Sequence, residues 1–229
     1  MTPASAPHFA TVILDVDSTL CGIEGIDWLA ARRGPAVAKR VAAETERAMR
    51  GDIPLEDVYA ARLSLVRPRR EDVDALGRAY IETLAPGAVS SVAAWRANGV
   101  CVILMSSAIR HSILRVAQHI GLGADDVHAV DVRFDAIGAY LGFDRSSPLA
   151  TATGKREMLS HLDLPHPMLA VGDGSTDLMM RGVADAFAAY TGFVSRPRVT
   201  EKADFVVASF DDISSLVLNK APAPGVWLQ

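Results

Sequence analysis

The chain has 229 residues, of which 50% are hydrophobic and 22% are charged, so it can bury a sizeable core and is not a disordered segment. At about 150 residues per domain, this length predicts one core domain with an insertion. The formal net charge of -4 disfavours nucleic acid and anionic membrane surfaces as partners.

Short apolar runs alternate with helical sequence along most of the chain. This alternation predicts an α/β fold in which a Rossmann-like parallel sheet is sandwiched by helices. Six runs are predicted to be strands: 9–14, 100–105, 127–132, 168–171, 186–190 and 205–208. Because ligands of such sheets bind at the carboxyl ends of the strands, the residues that follow each run form the candidate site.

A helical insertion is predicted between the first two strands. They are separated by about eighty residues, which is too long for a single crossover. Apolar spacing predicts one helix around Ile26 and another around Val41, and Asp52 and Pro54 are suited to begin a third. The chain is thus predicted to have three parts: a core domain, 1–20 and 86–219; a small helical cap domain, 21–85; and a C-terminal tail, 220–229.

The amino terminus and the cysteines indicate a cytoplasmic protein. No apolar run approaches the ~20 residues of a membrane-spanning helix, and residues 1–7 lack the charged and apolar regions of a signal peptide. Cys21 lies beside one predicted strand and Cys101 within another. We therefore expect two buried thiols and no disulfide.

Two acidic motifs follow the first and fourth predicted strands. In Asp15-Val16-Asp17-Ser18-Thr19, strand alternation points Asp15 and Asp17 to the same side, where their charges require a cation or a shared proton. Gly172-Asp173-Gly174-Ser175-Thr176-Asp177 is a glycine-rich turn that opens a helix. Hard oxygen ligands from two strand ends are those that Mg²⁺ prefers. Taken singly, the motifs also fit a solvated turn and an ordinary strand-to-helix turn.

Two further segments are suited to hold phosphate oxygens. Ser106 and Ser107 follow the second predicted strand and lead into a helix, although a capping serine is the simpler alternative. Thr153-Gly154-Lys155 precedes another helix. A cation in the first helical turn opposes the helix dipole by ~0.3 to 1 kcal/mol, and a bound phosphate would offset that penalty.

The ordered set of these four motifs over one α/β core resembles the haloacid dehalogenase superfamily of phosphohydrolases. The resemblance covers residues 9–218, and in the predicted cap it becomes specific to one group within the superfamily. There Glu24, nine residues after Asp15, the segment Ala48-Met49-Arg50-Gly51 and Arg62 are similar to phosphoserine phosphatases. The resemblance implies a Mg²⁺-dependent phosphomonoesterase that hydrolyses O-phospho-L-serine through an aspartyl-phosphate.

The resemblance also implies catalytic roles for the matching core residues. Asp15 would be the nucleophile, and Asp17 would protonate the leaving serine oxygen and then activate water. Three groups would hold Mg²⁺: Asp15, the Asp17 carbonyl and Asp173. Ser106, the Ser107 N–H and Lys155 would hold the phosphate oxygens. Asp177 would orient Lys155 and the metal shell.

Substrate choice is assigned to the cap by the same resemblance. Glu24 would bind the ammonium of phosphoserine, and Arg62 can bind its carboxylate through two hydrogen bonds. Met49 and Leu55 would supply an apolar wall, and Thr176 would lie beside the substrate. There are simpler alternatives for Glu24 and Arg62. Glu24 can be an acid favoured in the first turn of a helix, and Arg62 can reach out to solvent.

The sequence departs from the family pattern at the second strand end. Ser-Ser-Ala-Ile at 106–109 stands where Ser-Gly-Gly-Phe is usual, and the added Cβ atoms can crowd the phosphate. Residues 138–148, with Tyr140, Phe143 and Asp144, match no family role. Two alternatives therefore stay open: a phosphatase or phosphotransferase for another small phosphorylated metabolite, and a receiver-like phosphoacceptor module, which would lack steady turnover.

Overall fold

The computed structural model describes residues 8–50, 55–218 and 227–228. For residues 46, 48–50, 55–56 and 227–228 the description is limited to the backbone. The side chains of Met49 and Leu55, the predicted apolar wall, therefore lie outside the described residues. So do Asp52, Pro54 and most of the predicted tail.

A parallel sheet forms the centre of the molecule. The strands of the described residues are β1 (Thr11–Leu14), β2 (Cys101–Ile109), β3 (Val127–Val130), β4 (Val132–Phe134), β5 (Tyr140–Phe143), β6 (Met168–Gly172), β7 (Ala186–Tyr190), β8 (Phe205–Val207) and β9 (Trp227–Leu228). The main sheet has the order β3-β2-β1-β6-β7-β8-β9 and is parallel except for the β8–β9 pair. All six predicted strands are present, and the predicted α/β fold is confirmed.

Helices flank the sheet. Within the described residues they are α1 (Gly25–Arg32), α2 (Pro35–Arg50), α3 (Leu55–Val66), α4 (Arg70–Glu82), α5 (Ala88–Ala97), α6 (Arg110–His119), α7 (Gly154–Ser160), α8 (Ser175–Leu178), α9 (Pro197–Thr200) and α10 (Phe210–Val217). Helices α1 to α4 lie between β1 and α5, in the segment predicted to be the cap. The domain boundaries themselves stay a prediction.

Helix α4 joins this helical segment to the core, and the sequence did not single it out. Its Asp74 carboxylate accepts hydrogen bonds from Arg115 Nη2 of α6 at 2.6 Å and lies 3.0 Å from His111 Nε2. On its other face Leu76 and Tyr80 are fully buried. Helix α4 therefore packs with one face against the core helix α6 and with its buried face against α1.

Two strand boundaries differ from the prediction. Strand β2 continues past 105 to Ile109, with a register irregularity after Met105, so Ser106 and Ser107 lie within the strand. The predicted strand 127–132 ends at Val130, and β4 pairs with β5 in an antiparallel hairpin. The Asp135 carboxylate closes this hairpin by accepting hydrogen bonds from the backbone at Ile137 and Ala139.

The order of the strands places the candidate site. Strands β2, β1 and β6 are neighbours at the centre of the sheet, and they are parallel. Their carboxyl ends therefore meet at one edge, which brings 15–19, 106–107 and 172–177 together. Strand β1 is buried on both faces, as its continuous apolar sequence requires.

Two other expectations from the sequence can be compared with the structure. Both cysteines are free thiols, and Cys21 is buried as predicted, whereas Cys101 is only half-buried. In the part of the chain that the structure describes, no helix has the length and apolar character needed to cross a membrane.

Candidate active site

Three carboxylates converge at the carboxyl edge of the sheet. Asp15 follows β1, Asp173 follows β6, and Asp177 lies in the first turn of α8. All three side chains are buried, and each offers an oxygen within 4.8 Å of the others. Carboxylates gathered in this way out of water repel each other unless a cation compensates them. The cluster of Asp15, Asp173 and Asp177 is called the acid cluster below.

Lys155 supplies one compensating charge. Its Nζ lies 2.6 Å from Asp15 Oδ1 and 2.5 Å from Asp177 Oδ1, and its side chain is buried. Burial alone would lower the pKa of Lys155, but the charges of Asp15 and Asp177 outweigh burial and raise it. Burial and the charge of Asp177 raise the pKa of Asp15 to about 8, against the opposing effect of Lys155. The single positive charge of Lys155 therefore does not balance the negative charge of the acid cluster.

Gly172 allows the close approach that builds the cluster. A Cβ at this position would overlap the carboxyl group of Asp177, so the last residue of β6 has no space for a side chain. The Gly174 N–H donates to Asp177 Oδ2 at 2.9 Å and fixes the second carboxylate oxygen. The glycine-rich turn thus sets the position of Asp177, which in turn contacts Lys155.

Asp173 presents an oxygen suited to a cation. Its Oδ1 accepts a hydrogen bond from Thr19 Oγ1 at 3.1 Å. Its Oδ2 is buried and forms an ion pair with the Arg196 guanidinium. Three buried carboxylates that each offer an oxygen within 4.8 Å of the others provide the hard oxygen ligands that a divalent cation prefers. The donor set of the acid cluster is therefore compatible with the predicted Mg²⁺.

Asp17 is held apart from the acid cluster by the helices that follow β1. Its Oδ1 accepts a hydrogen bond from the Tyr80 hydroxyl of α4, and its Oδ2 accepts one from the Gly25 N–H of α1 at 3.2 Å. Partial removal from water and the charge of Glu24 raise the pKa of Asp17 to about 7. A carboxyl group that titrates near neutrality can act both as acid and as base.

The predicted phosphate and substrate residues of the core lie at the same edge. Ser106 is buried on β2, and its hydroxyl accepts a hydrogen bond from the Ala108 N–H at 3.1 Å. Ser107 follows it and is half-buried, as is Thr176 in the first turn of α8. These three residues have no side-chain hydrogen bond to the acid cluster among the described contacts, so their predicted roles stay predictions.

Glu24 lies beside the site and is shared by two partners. Its Oε1 accepts a hydrogen bond from Ser18 Oγ at 2.8 Å and lies 3.6 Å from Arg196 Nη2. Arg196 directly precedes α9 and thus links Glu24 to the carboxylate of Asp173. No local sequence motif marks Arg196, because it reaches the site from a loop far along the chain.

Arg62 is paired within the helical segment. Its Nη2 donates to Asp27 Oδ2 at 2.9 Å, while its Nε is buried and has no hydrogen-bond partner in the described part of the chain. The hydroxyl of Tyr59, one turn earlier on α3, is also buried and unpartnered there. Two buried donors that lack acceptors are costly, and a polar ligand would satisfy them. The structure shows no direct contact between Arg62 and Glu24.

Comparisons with known proteins show what the chain is similar to. The family model described as haloacid dehalogenase-like hydrolase matches residues 12–181. A chloroplastic phosphoserine phosphatase of Arabidopsis thaliana is 37% identical over 207 residues, which cover 88% of this chain and 70% of that protein. The phosphoserine phosphatase of Homo sapiens is 34% identical over 205 residues, 88% of this chain and 90% of that protein. A structure of a phospho-aspartyl intermediate analogue of phosphoserine phosphatase superposes with a TM-score of 0.76 at 24% identity, covering 91% of this chain and 98% of that one.

Proposed function

The chain belongs to the haloacid dehalogenase-like hydrolases and, within them, to the phosphoserine phosphatases, and from this membership we propose that it hydrolyses O-phospho-L-serine to L-serine and phosphate. The observation that carries the proposal is the acid cluster, in which Lys155 contacts Asp15 and Asp177, placed beside the separately held Asp17. A nucleophile and an acid–base group that lie two residues apart, in different surroundings, suit two-step phosphoryl transfer.

In the proposed first step, an Asp15 carboxylate oxygen attacks phosphorus and forms an aspartyl-phosphate. The bond between phosphorus and the serine oxygen breaks, and Asp17 gives its proton to that oxygen. In the second step, Asp17 takes a proton from water as the water oxygen attacks phosphorus. The bond to Asp15 then breaks, which releases phosphate and restores both carboxyl groups.

Mg²⁺ is the proposed cofactor, held by Asp15, the Asp17 carbonyl and Asp173, with Asp177 adjoining. When bound, it would offset the charge of the acid cluster and stabilise negative charge on the transferred phosphoryl group. Lys155, Ser106 and the Ser107 N–H would hold phosphate oxygens.

The phosphoserine specificity is proposed to depend on the helical segment 21–85, which we take as a cap domain. Glu24 would bind the substrate ammonium. The Nε of Arg62 is buried and has no partner among the described residues, which supports binding of the substrate carboxylate at α3. Thr176 would lie beside the substrate. The location in the cytoplasm and a core of residues 1–20 and 86–219 remain predictions from the sequence.

The direct test measures phosphate release from phosphoserine, phosphothreonine and a panel of other small phosphomonoesters, with Mg²⁺ or after its removal by EDTA. We expect the highest kcat/KM on phosphoserine, no turnover without metal, and recovery when Mg²⁺ is restored. Ca²⁺ should compete without supporting turnover, because it tolerates higher coordination numbers and looser geometry.

Three results would overturn parts of this proposal. A higher kcat/KM on another metabolite would replace the substrate. Rates that rise with added alcohols, and transfer of phosphate to them, would indicate a phosphotransferase. A stable phosphoprotein with no steady turnover on any substrate would favour the receiver-like alternative.

A further inference from the structure

We infer that Tyr80 is a positioning residue for Asp17, so that helix α4 holds the acid–base group of the reaction in its working orientation. The inference rests on the proposed function, in which Asp17 exchanges protons with the leaving group and with water. Neither the sequence motifs nor the family resemblance gives Tyr80 a role.

The contact is built from distant parts of the chain. Tyr80 is fully buried on α4, and its hydroxyl donates to Asp17 Oδ1 across 63 positions of sequence. The Gly25 N–H, at the start of α1, donates to the other carboxylate oxygen. A carboxyl group with one donor on each oxygen cannot rotate without losing a hydrogen bond. Its orientation is therefore set by the two helices and not by β1 alone.

The space around Gly25 is a second observation that the Tyr80 hydroxyl has a defined place. A Cβ on Gly25 would overlap the Tyr80 hydroxyl, so the residue that donates to Asp17 Oδ2 must also leave space for the donor to Oδ1. Leu76, one turn before Tyr80, packs against the same glycine. The hydroxyl therefore occupies a fitted space between α1 and α4, where it has one acceptor, Asp17.

The physical consequence differs between leaving groups. An alkoxide such as that of serine must be protonated as it departs, so its rate depends on where Asp17 presents its proton. A nitrophenolate needs little protonation. Loss of the Tyr80 hydroxyl should therefore slow the hydrolysis of phosphoserine much more than that of nitrophenyl phosphate. Phosphoryl transfer to Asp15 does not itself require that hydroxyl.

The experiment compares kcat/KM on phosphoserine and on 4-nitrophenyl phosphate, because this quantity reports the steps up to departure of the leaving group. For Tyr80→Phe in the presence of Mg²⁺, we expect a loss of about tenfold to a hundredfold on phosphoserine, the range for a hydrogen bond to a charged group. On 4-nitrophenyl phosphate the loss should stay within about threefold. Asp17→Asn serves as the reference and should show the same selectivity with larger losses.

Two further variants separate positioning from folding. Gly25→Ala keeps every polar group but displaces the hydroxyl, so it should reproduce the selective loss. Tyr190→Phe is the matched control: Tyr190 is a buried tyrosine on β7 whose hydroxyl makes no hydrogen bond to the described residues. It should leave both rates unchanged, and thermal unfolding of all variants reports their stability.

Equal losses on the two substrates in Tyr80→Phe and in Gly25→Ala would make Tyr80 a structural residue and overturn the inference, as would unchanged rates in both. If Tyr80→Phe does not fold, Gly25→Ala decides by the same criterion. Failure of the proposed function looks different, because the unmodified enzyme would then show no preference for phosphoserine, or Asp17→Asn would show no selectivity.

Discussion

Lys155 is the residue on which the chemistry of the acid cluster depends. It contacts the proposed nucleophile Asp15 and Asp177 at once, and burial leaves it no competing solvent partner. A buried ion pair is a poor source of stability, because removing both groups from water costs several kcal/mol. The arrangement is better explained by function: the lysine keeps Asp15 in place and presents positive charge where a phosphate would lie.

Arg62 and Glu24 give a prediction about specificity. Arg62→Leu should leave the substrate carboxylate without its partner, which costs about 1.5 to 3 kcal/mol, or roughly tenfold to a hundredfold in kcat/KM on phosphoserine. Glu24→Gln should weaken binding of the ammonium in a similar way. Phenyl phosphate lacks both groups, so its kcat/KM should change little in Arg62→Leu. In Glu24→Gln it should fall less than that of phosphoserine, because loss of the Glu24 charge also lowers the pKa of Asp17.

A matched control for Arg62→Leu is Arg47→Leu. Arg47 lies on α2 and pairs with Glu44 at the surface, where the loss of an ion pair has little effect. Its kinetics on both substrates should equal those of the unmodified protein. If Arg62→Leu slows phenyl phosphate as much as phosphoserine, Arg62 serves the fold or the phosphate and not the amino-acid end.

At the residue scale, the sequence identified groups that follow strands and missed groups that reach the site from elsewhere. Asp15 and Asp173 were found because parallel strands deliver their carboxyl ends to one edge, and Lys155 was found because a cation in the first turn of a helix opposes the helix dipole unless an anion offsets it. Tyr80 and Arg196 were missed, because a buried tyrosine on a helix and an arginine before a short helix have ordinary structural explanations. Only the three-dimensional contacts distinguish these two residues.

At the scale of elements, the turn after β6 works as a unit. Gly172, Gly174 and Asp177 are locked together, because the first leaves space for the carboxyl group that the second fixes. The turn also carries Asp173 between them. Small changes of backbone in this turn are therefore transmitted to two carboxylates and, through Asp177, to Lys155.

Gly172→Ala tests this coupling. The added Cβ must displace the Asp177 side chain, and overpacking of this kind typically costs about 1 to 3 kcal/mol. We expect a lower Tm together with at least a tenfold loss of kcat on phosphoserine, because Lys155 loses one of its two carboxylate partners. Steady-state kinetics and thermal unfolding measure the two effects.

Gly123→Ala is the control for that variant. A Cβ on Gly123 would meet only Asp126 Oδ2, at an ordinary 3.5 Å, near the surface and away from the site. Its activity should be unchanged. Full activity in Gly172→Ala would show that Asp177 has another position from which it can serve Lys155.

The elements themselves were predictable to different degrees. The parallel strands of the main sheet are mostly apolar runs, and all six of them were found. The β4–β5 hairpin was missed, because its strands are short, lie outside the main sheet and carry mixed polarity. It places Phe143 edge-on to Tyr59 of α3, with ring centroids 5.1 Å apart. The unassigned segment 138–148 therefore packs against the helices that follow β1.

At the scale of the whole molecule, the fold concentrates negative charge at one edge of its sheet, and this has a cost in stability. An aspartate whose pKa rises from 3.8 to about 8 on folding keeps a proton that the unfolded chain has lost. Between these pH values folding takes up a proton, so the stability of the metal-free protein falls as the pH rises. Asp17, with a pKa of about 7, acts in the same direction.

We therefore predict that the Tm of the metal-free protein falls between about pH 6.5 and pH 8. The lowered pKa of half-buried His128 has the opposite sign, and its effect is exerted mainly below that range. Mg²⁺ should raise the Tm most at the upper end, because binding requires deprotonated carboxylates. Thermal unfolding with EDTA or Mg²⁺ at each pH measures both effects.

Asp15→Asn provides the control, since it removes one charge of the cluster while retaining its volume. The metal-free variant should be more stable than the unmodified protein at about pH 8, and its Tm should depend less on pH. A Tm of the metal-free protein that rises over this range would contradict the prediction.

The supports of Asp15 and Asp17 have a consequence for how such an enzyme can diverge. Asp15 is held by the sheet and by Lys155, whereas Asp17 is held by α1 and α4. The helices that would select the substrate also carry the donors to the proton-transfer group. Recombination between related genes can exchange these helices for other helices. Such an exchange would leave Asp15 in place but remove the hydrogen-bond donors that orient Asp17. We therefore expect point changes on α3, which leave Gly25 of α1 and Tyr80 of α4 in place, to alter selectivity with a smaller loss of proton transfer than replacement of the whole segment.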